Sequence, residues 1–360
     1  MNRITDDLQN KIDYLRTYSG RRLRLMEVCG THTSAIFRGG IRSLISPNIR
    51  LISGPGCPVC VTPTAYIDKC TEFALKPGCA LVSFGDMLKV PGSGHSANIS
   101  SGSGSLSDAM TQGGRVEMVY SPFDVIAKAQ AEPETLFVVA AVGFETTAPA
   151  YGLLLGELIA NDIGNVKLLT ALKTTLPAIE WILKTEPSVD GFIAPGHVSV
   201  ITGSGNYEPL AAKYKRPFVV AGFEEFHLIS AIYELVRMAT DKATLLSNFY
   251  PEAVSEKGNV KAQEVIRKYF ETGSAVWRGL GSIASSGLYL RPGYEVYDIG
   301  SRGLDEDAAL PEGCRCGDVI TGRIDPADCP MFSVSCTPNN AKGPCMVSTE
   351  GACGIWYQNI

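Results

Sequence analysis

Six of the eleven cysteines in this 360-residue sequence crowd its C-terminal end: Cys314, Cys316, Cys329, Cys336, Cys345 and Cys353. Four thiolates hold an iron–sulfur cluster. Six cysteines taken four at a time give fifteen sets, and spacing alone does not select one. One set is Cys314-x14-Cys329-x6-Cys336-x16-Cys353, which leaves Cys316 and Cys345 as a thiol pair. A structural zinc site is the plainer alternative. Zinc ribbons pair two Cys-x2-4-Cys knuckles, and Cys314-x-Cys316 is too tight to make a good one. The segment from Cys314 to Ile360 holds four prolines and suits no long helix. A metal fixes a fold that such a small core cannot.

A second thiol set lies near the N-terminus. Cys57-Pro-Val-Cys60 is a Cys-x-x-Cys motif, the arrangement that lowers thiol pKa values and cycles between dithiol and disulfide. It also makes half of a zinc knuckle, but no second half lies nearby. Cys29-Gly-Thr-His32 puts a thiol at the end of an apolar run. A lone cysteine there reads as packing or as an exposed thiolate, and His32 as ligand, base or loop hydrogen-bonder. Glu145-Thr146-Thr147 before Ala148-Pro149 reads as a helix start or as a carboxylate offered to a cleft. His197, in Pro-Gly-His-Val-Ser, has the same double reading, as do Asp86 and Glu224. Cys70 and Cys79 stand in no motif and read as packing residues.

The elements that position these residues repeat one theme: apolar run, Gly-containing loop, helix. Leu23–Val28 leads to Cys29, Ile49–Ser53 to Cys57, and Ala80–Phe84 to Asp86. Leu136–Val142 leads to Glu145, Gly191–Ala194 to His197, and Pro217–Ala221 to Glu224. Short continuous apolar runs alternating with helices predict parallel strands covered on both faces. The fold class expected is α/β: two similar parallel-sheet domains facing a cleft, plus a helical, cysteine-rich iron–sulfur domain. The boundaries expected are 20–134, 135–248, and 249–360 together with an amphipathic N-terminal helix in 1–19. Ligands in open α/β sheets bind beyond the carboxyl ends of strands, so all six loops converge on the cleft. Pro91–Ser107 is a Gly/Ser loop.

Composition narrows the function. The chain is 45% hydrophobic, 19% charged and carries a net charge of −5, without a Lys/Arg block. That disfavours a phosphate-tracking nucleic-acid binder. There is no P-loop, no well-placed Gly-x-Gly-x-x-Gly, no His-Glu-x-x-His and no Gly-x-Ser-x-Gly. The N-terminal stretch carries acids and lacks an apolar signal core, and no run is long enough to span a bilayer. A soluble, cytoplasmic protein is expected. In that reducing compartment eleven cysteines point to metal or thiol redox chemistry rather than structural disulfides.

Taken in order, these motifs resemble the HypD family of hydrogenase maturation proteins. The matching segments are Cys-Gly-Thr-His (29–32), Gly-Pro-Gly-Cys-Pro-Val-Cys (54–60), Gly-Phe-Glu-Thr-Thr (143–147) and Pro-Gly-His-Val-Ser (195–199). At the end come Cys-Arg-Cys-Gly-Asp-Val, Asp-Cys-Pro-Met-Phe, Cys-Thr-Pro and Cys-Met-Val-Ser-Thr-Glu-Gly-Ala-Cys. The resemblance implies a scaffold that, with the small protein HypC, assembles the Fe(CN)2CO group of [NiFe]-hydrogenases. Cyanide then comes from HypE, itself supplied by HypF. It implies a [4Fe–4S] cluster on Cys314, Cys329, Cys336 and Cys353. Cys316 and Cys345 become a redox pair between the cluster and Cys57/Cys60, an arrangement similar to ferredoxin–thioredoxin reductase. Cys29 becomes the ligand of the Fe(CN)2CO iron, with His32 positioning it. Glu145, His197 and Asp86 manage protons or cyanide. A self-contained, cluster-dependent disulfide reductase is the rival reading.

Overall fold

A computed structural model of the chain describes residues 2–93, 103–241, 245–304, 310 and 312–360, with side chains from residue 6 onward. Most of the Gly/Ser stretch after Pro91 lies outside the described residues. Eleven strands run in chain order: β1 (Leu23–Glu27), β2 (Ile49–Ser53), β3 (Cys79–Ser83), β4 (Val116–Met118), β5 (Leu136–Gly143), β6 (Val166–Lys173), β7 (Gly191–Pro195), β8 (Phe218–Ala221), β9 (Leu246–Phe249), β10 (Phe270–Trp277) and β11 (Gly281–Leu290). They form two sheets. The first has the order β2-β1-β7-β8-β9 and is parallel throughout. The second has the order β10-β11-β6-β5-β3-β4. It is parallel from β6 to β4 and antiparallel where β11 joins β6 and β10 joins β11.

The central strands are apolar on both faces, while β4, β9 and the β10–β11 hairpin are partly exposed. Successive side chains of a strand alternate between faces. On β1, Leu23 and Leu25 meet Leu228, Ile232 and Leu235 of the helix Glu225–Asp241, while Met26 faces Ile179 and Tyr207 across the sheet. On β5, Phe137, Val139 and Ala141 cover one face with Leu154 and Leu158, and Val138, Ala140 and Val142 the other with Tyr66 and Ile67. This double covering bears out the α/β reading with two parallel-dominated sheets.

The chain does not divide where its repeats suggest. Each sheet takes strands from both sides of residue 135: β1, β2 and β7–β9 make the first, β3–β6 and the β10–β11 hairpin the second. A parallel connection must leave its strand and return through a crossover, and three connections among the described residues, β2 to β3, β6 to β7 and β9 to β10, move the chain into the other sheet. The region after residue 250 is also not simply helical. Only Val260–Tyr269 is a helix of any length before the hairpin. Its strands, rich in Gly, Ser and Ala, lack the β-branched pattern that marks a strand. The N-terminal helix Asn2–Thr17 lies on the first sheet, not on the cysteine-rich end. Leu15, Ile12 and Leu8 join that sheet's core, and Tyr14 packs edge-on against Tyr233 at 5.0 Å.

Candidate functional site

In each sheet the chain runs outward in two directions from one place. In the first sheet β1 continues to β2 on one side, and β7 to β8 and β9 on the other. In the second, β3 continues to β4, and β5 to β6. Loops part at such a switch point and leave a crevice beyond the strand ends. Cys29 and His197 follow β1 and β7, the switch strands of the first sheet. Asp86 and Glu145 follow β3 and β5, those of the second. The two crevices meet in one cleft of about 410 Å³, lined by Cys29, Pro58, Asp86, Thr146, His197 and Glu350 among others.

Cys29 stands just before the helix Gly30–Arg38, in extended backbone. Burial pushes its thiol up, against the pull of the amides of His32 and Thr31 and the Thr31 hydroxyl. Two glycines let other segments close on it. A Cβ on Gly56 would stand 2.4 Å from the Cys29 nitrogen, so only glycine lets the loop after β2 cross there. A Cβ on Gly30 would stand 2.1 Å from the Glu350 carbonyl oxygen, so only glycine admits the C-terminal segment as a rim. Thr31 Oγ1 donates to Glu350 Oε1 at 3.3 Å, and burial raises the Glu350 carboxyl. Asp86, opposite, is raised by the same cause.

His32 does not line this cleft. Its ring is fully buried, with Nε2 at 3.1 Å from the Ala221 carbonyl, and burial lowers its pKa to about 4. It is a neutral anchor between the Cys29 loop and the end of β8. His197 does line the cleft, its ring 4.1 Å from that of Phe223, and partial burial lowers its pKa. Glu145 turns inward. Its Oε1 accepts from Thr175 N at 2.7 Å and Thr175 Oγ1 at 3.2 Å, which caps the start of the helix Thr175–Thr185. Its Oε2 is buried with no hydrogen-bond partner, and burial raises the carboxyl to about 7. Ala148 does open a helix, with Thr147 at its N-cap, but Glu145 caps the helix Thr175–Thr185 instead, and its carboxylate is buried rather than on the wall of the cleft.

Glu27 carries no sequence motif and escaped notice. It is fully buried one turn before Cys29, with Oε1 accepting from Ser53 Oγ at 3.1 Å and Thr33 Oγ1 at 3.3 Å. Burial raises it to about 7 despite Arg42 at 3.6 Å. The one signal available was an acid ending the apolar run Leu23–Glu27. Glu350 was hidden among the C-terminal cysteines in the same way.

Cys57 and Cys60 are joined as a disulfide directly behind Gly56. Cys60 Sγ lies 4.0 Å from the carbonyl of Pro344, the neighbour of fully buried Cys345. Cys345 in turn meets Cys316, as do Cys314 and Cys353. The thiols of those three hold the Cys316 thiol well below its usual range, and theirs are pushed up in return. Cys314, Cys316, Cys329, Cys336 and Cys353 line one small enclosure walled by Val319, Met331, Phe332 and Met346. The Lys342 amide donates to Cys336 Sγ at 3.3 Å. A Cβ on Gly343 would stand 2.5 Å from Cys316 Sγ and 2.8 Å from Cys314 Sγ, so the backbone itself closes over the sulfurs. Among the described residues no three His, Cys, Asp or Glu side chains converge as a single-ion site. Four thiolates around a cage is a different demand, and an apolar enclosure ringed by five cysteines fits it. Cys70 and Cys79 are packed in the cores of the second sheet.

Fold and site define a class: an α/β protein whose cleft at the switch points of two sheets holds one thiol, backed by a disulfide and a buried cysteine cage. The comparisons give the family. A model described as "HypD: Hydrogenase formation hypA family" matches residues 3–360, and the chain belongs to the HypD family. It is 38% identical over 359 residues to the hydrogenase maturation factor HypD of Escherichia coli (strain K12), covering 99% of this chain and 94% of that one. The HypD proteins of Azotobacter vinelandii and Rhizobium leguminosarum bv. viciae are 39% and 40% identical, over 94% of this chain and 89% and 88% of theirs. No helix among the described residues is long and apolar enough to cross a membrane.

Proposed function

We propose that this chain is a hydrogenase maturation factor that works as an iron–sulfur scaffold in the cytoplasm. Docked with HypC, it assembles and carries the Fe(CN)2CO group, with cyanide arriving from HypE and HypF. One observation supports this above the rest: sulfur follows sulfur from the cleft to the cage. Cys29 touches Gly56, the Cys57–Cys60 disulfide follows, and Cys60 abuts Pro344 beside Cys345, which meets Cys316.

Cys314, Cys329, Cys336 and Cys353 would hold the [4Fe–4S] cluster. Such a cluster supplies electrons one at a time at low potential. Opening the Cys57–Cys60 disulfide takes two electrons and two protons; Cys316, on the cage wall, and Cys345, beside Pro344, would pass the electrons on by thiol–disulfide exchange, the pair being re-reduced by electrons that reach the cluster from an external donor. Cys29 binds the iron of the cargo. Electron-rich iron with cyanide and CO suits a thiolate, and metal binding draws the proton from a thiol that burial otherwise keeps protonated. Asp86, His197 and Glu350 face the cleft and handle protons there. Glu145 holds a proton beside the loop, and His32 fixes the loop's position.

The test is an infrared spectrum of the chain purified anaerobically from cells that also make its small partner. Cyanide and CO stretching bands that vanish in Cys29→Ala support the scaffold. A cluster-loaded complex without such bands favours the second reading, a cluster-dependent disulfide reductase. That reading is kept alive by the disulfide itself, which lies beside the cage's entrance.

A further inference from the structure

The cleft is not the largest cavity. One of about 790 Å³ lies at the other end of the first sheet, around the amino ends of β1 and β2. Five arginines line it, Arg21, Arg22, Arg24, Arg42 and Arg50, against two carboxylates, Asp190 and Asp325. Arg21 pairs with Asp190 at 2.7 Å and Arg50 with Asp325 at 2.8 Å. The other three have no carboxylate on the cavity wall. Arg22 is exposed, with no side-chain hydrogen bond or ion pair among the described residues. Arg24 donates through its terminal nitrogens to the Ser188 hydroxyl and the Gly322 carbonyl, and its buried Nε has no hydrogen-bond partner. Arg42 is already engaged: it donates one nitrogen to the Leu51 carbonyl at 2.8 Å, its Nη2 pairs with Glu27 at 3.6 Å, and its guanidinium lies 5.0 Å from the Phe37 and Trp356 rings.

A chain of net charge −5 thus gathers two arginines without a carboxylate partner, Arg22 and Arg24, beside three paired ones in one concave place. A guanidinium fork matches phosphate oxygens two at a time. The volume falls within the range of small-molecule sites, about 300–1,000 Å³, and Ile45, Pro47 and Ile49 give it an apolar side. We propose that this cavity binds a phosphate-bearing small molecule, with Arg22 and Arg24 supplying donors and Arg50 shared with Asp325. Its far wall is the segment Gly322–Asp325, where Asp325 caps the turn that leads to Cys329. A bound anion competes with Asp325 for Arg50, so the ligand touches the segment that feeds the cysteine cage.

The experiment is a calorimetric titration of the full chain with inorganic pyrophosphate at low salt. The expected result is one saturable site, weakened on the order of tenfold by Arg22→Glu and largely kept by Arg22→Lys. Lys261→Glu makes the same charge change on the exposed helix Val260–Tyr269, away from the cavity, and is expected to leave affinity within about twofold. Thermal midpoints check that each variant folds. Absence of a saturable site, an unchanged affinity in Arg22→Glu, or an equal loss in Lys261→Glu would overturn the proposal.

Discussion

Cys29 and Glu145 show how one physical cause, burial, is put to two uses. For Cys29 it raises the thiol, which on the proposed reading would lose its proton on binding iron. For Glu145 it leaves a carboxyl that titrates at about 7, far above its ordinary 4.5. A carboxyl that holds its proton more tightly in the folded chain than in the unfolded one stabilises the fold below pH 4.5. It gives up that stability as the pH rises through 7. The linkage has a ceiling of about 3 kcal/mol. Glu145→Gln keeps an acceptor for Thr175 and removes the titration. Its thermal midpoint is expected to fall less than the wild type's between about pH 5 and about pH 8. Parallel pH curves for the two proteins would show that Glu145 does not titrate in this range. Glu27, raised to about 7 as well, keeps part of the slope in the variant.

At the scale of elements, loops set the site and the strands hold the loops. Gly30 admits the Thr349–Glu350 rim against the Cys29 helix. Gly30→Ala must push that backbone away, and a loss of about 1–3 kcal/mol is expected, together with loss of iron from an otherwise folded chain. Denaturant unfolding and iron analysis read the two effects separately. The β10–β11 hairpin supports the other side. Trp277 is fully buried, donates to Ser286 Oγ at 2.8 Å, and stacks on Phe144 at 5.7 Å, next to Glu145. Trp277→Ala is expected to cost about 3–5 kcal/mol, measured by the same unfolding curves.

The parallel strands and the loops that end them were legible in the sequence because a doubly covered strand is a short unbroken apolar run. Cys29, His197 and Asp86 were found in the cleft for that reason: each ends such a run. The hairpin was not legible, because Gly281–Leu290 alternates small residues without a clear period. Nor was the sheet membership, since a crossover reads the same in sequence whichever sheet it returns to. Of the readings open for His32, the loop hydrogen bond is the one it makes, to the Ala221 carbonyl. Its neighbour faces the cleft, but a helix turns consecutive side chains to different sides, and His32 points back into the fold. Glu27 on β1 and Arg42 on the helix Ile41–Leu44 meet only in the folded chain, where Arg42 also donates to the Leu51 carbonyl of β2.

At the scale of the whole molecule, the sheets carry large cores of their own, while the C-terminal segment is held to the second sheet chiefly around its cysteines. Its longest helix, Ala352–Asn359, has eight residues. Removing a cluster from that segment is expected to loosen it first. Limited proteolysis after iron chelation should cut between Glu312 and Lys342 while both sheets stay intact. Simultaneous loss of all fragments would mean that the chain unfolds as one unit.

The central claim is that electrons travel from the cysteine cage through Cys345 and Cys316 to the Cys57–Cys60 disulfide behind the cleft. The most direct measurement is anaerobic reduction of the cluster-loaded chain, followed by alkylation and mass spectrometry of Cys57 and Cys60, in wild type and in Cys345→Ser. The account predicts free, alkylated Cys57 and Cys60 in the wild type. In the variant it predicts a retained disulfide with the cluster's absorption unchanged. Equal reduction of the disulfide in both proteins would contradict it.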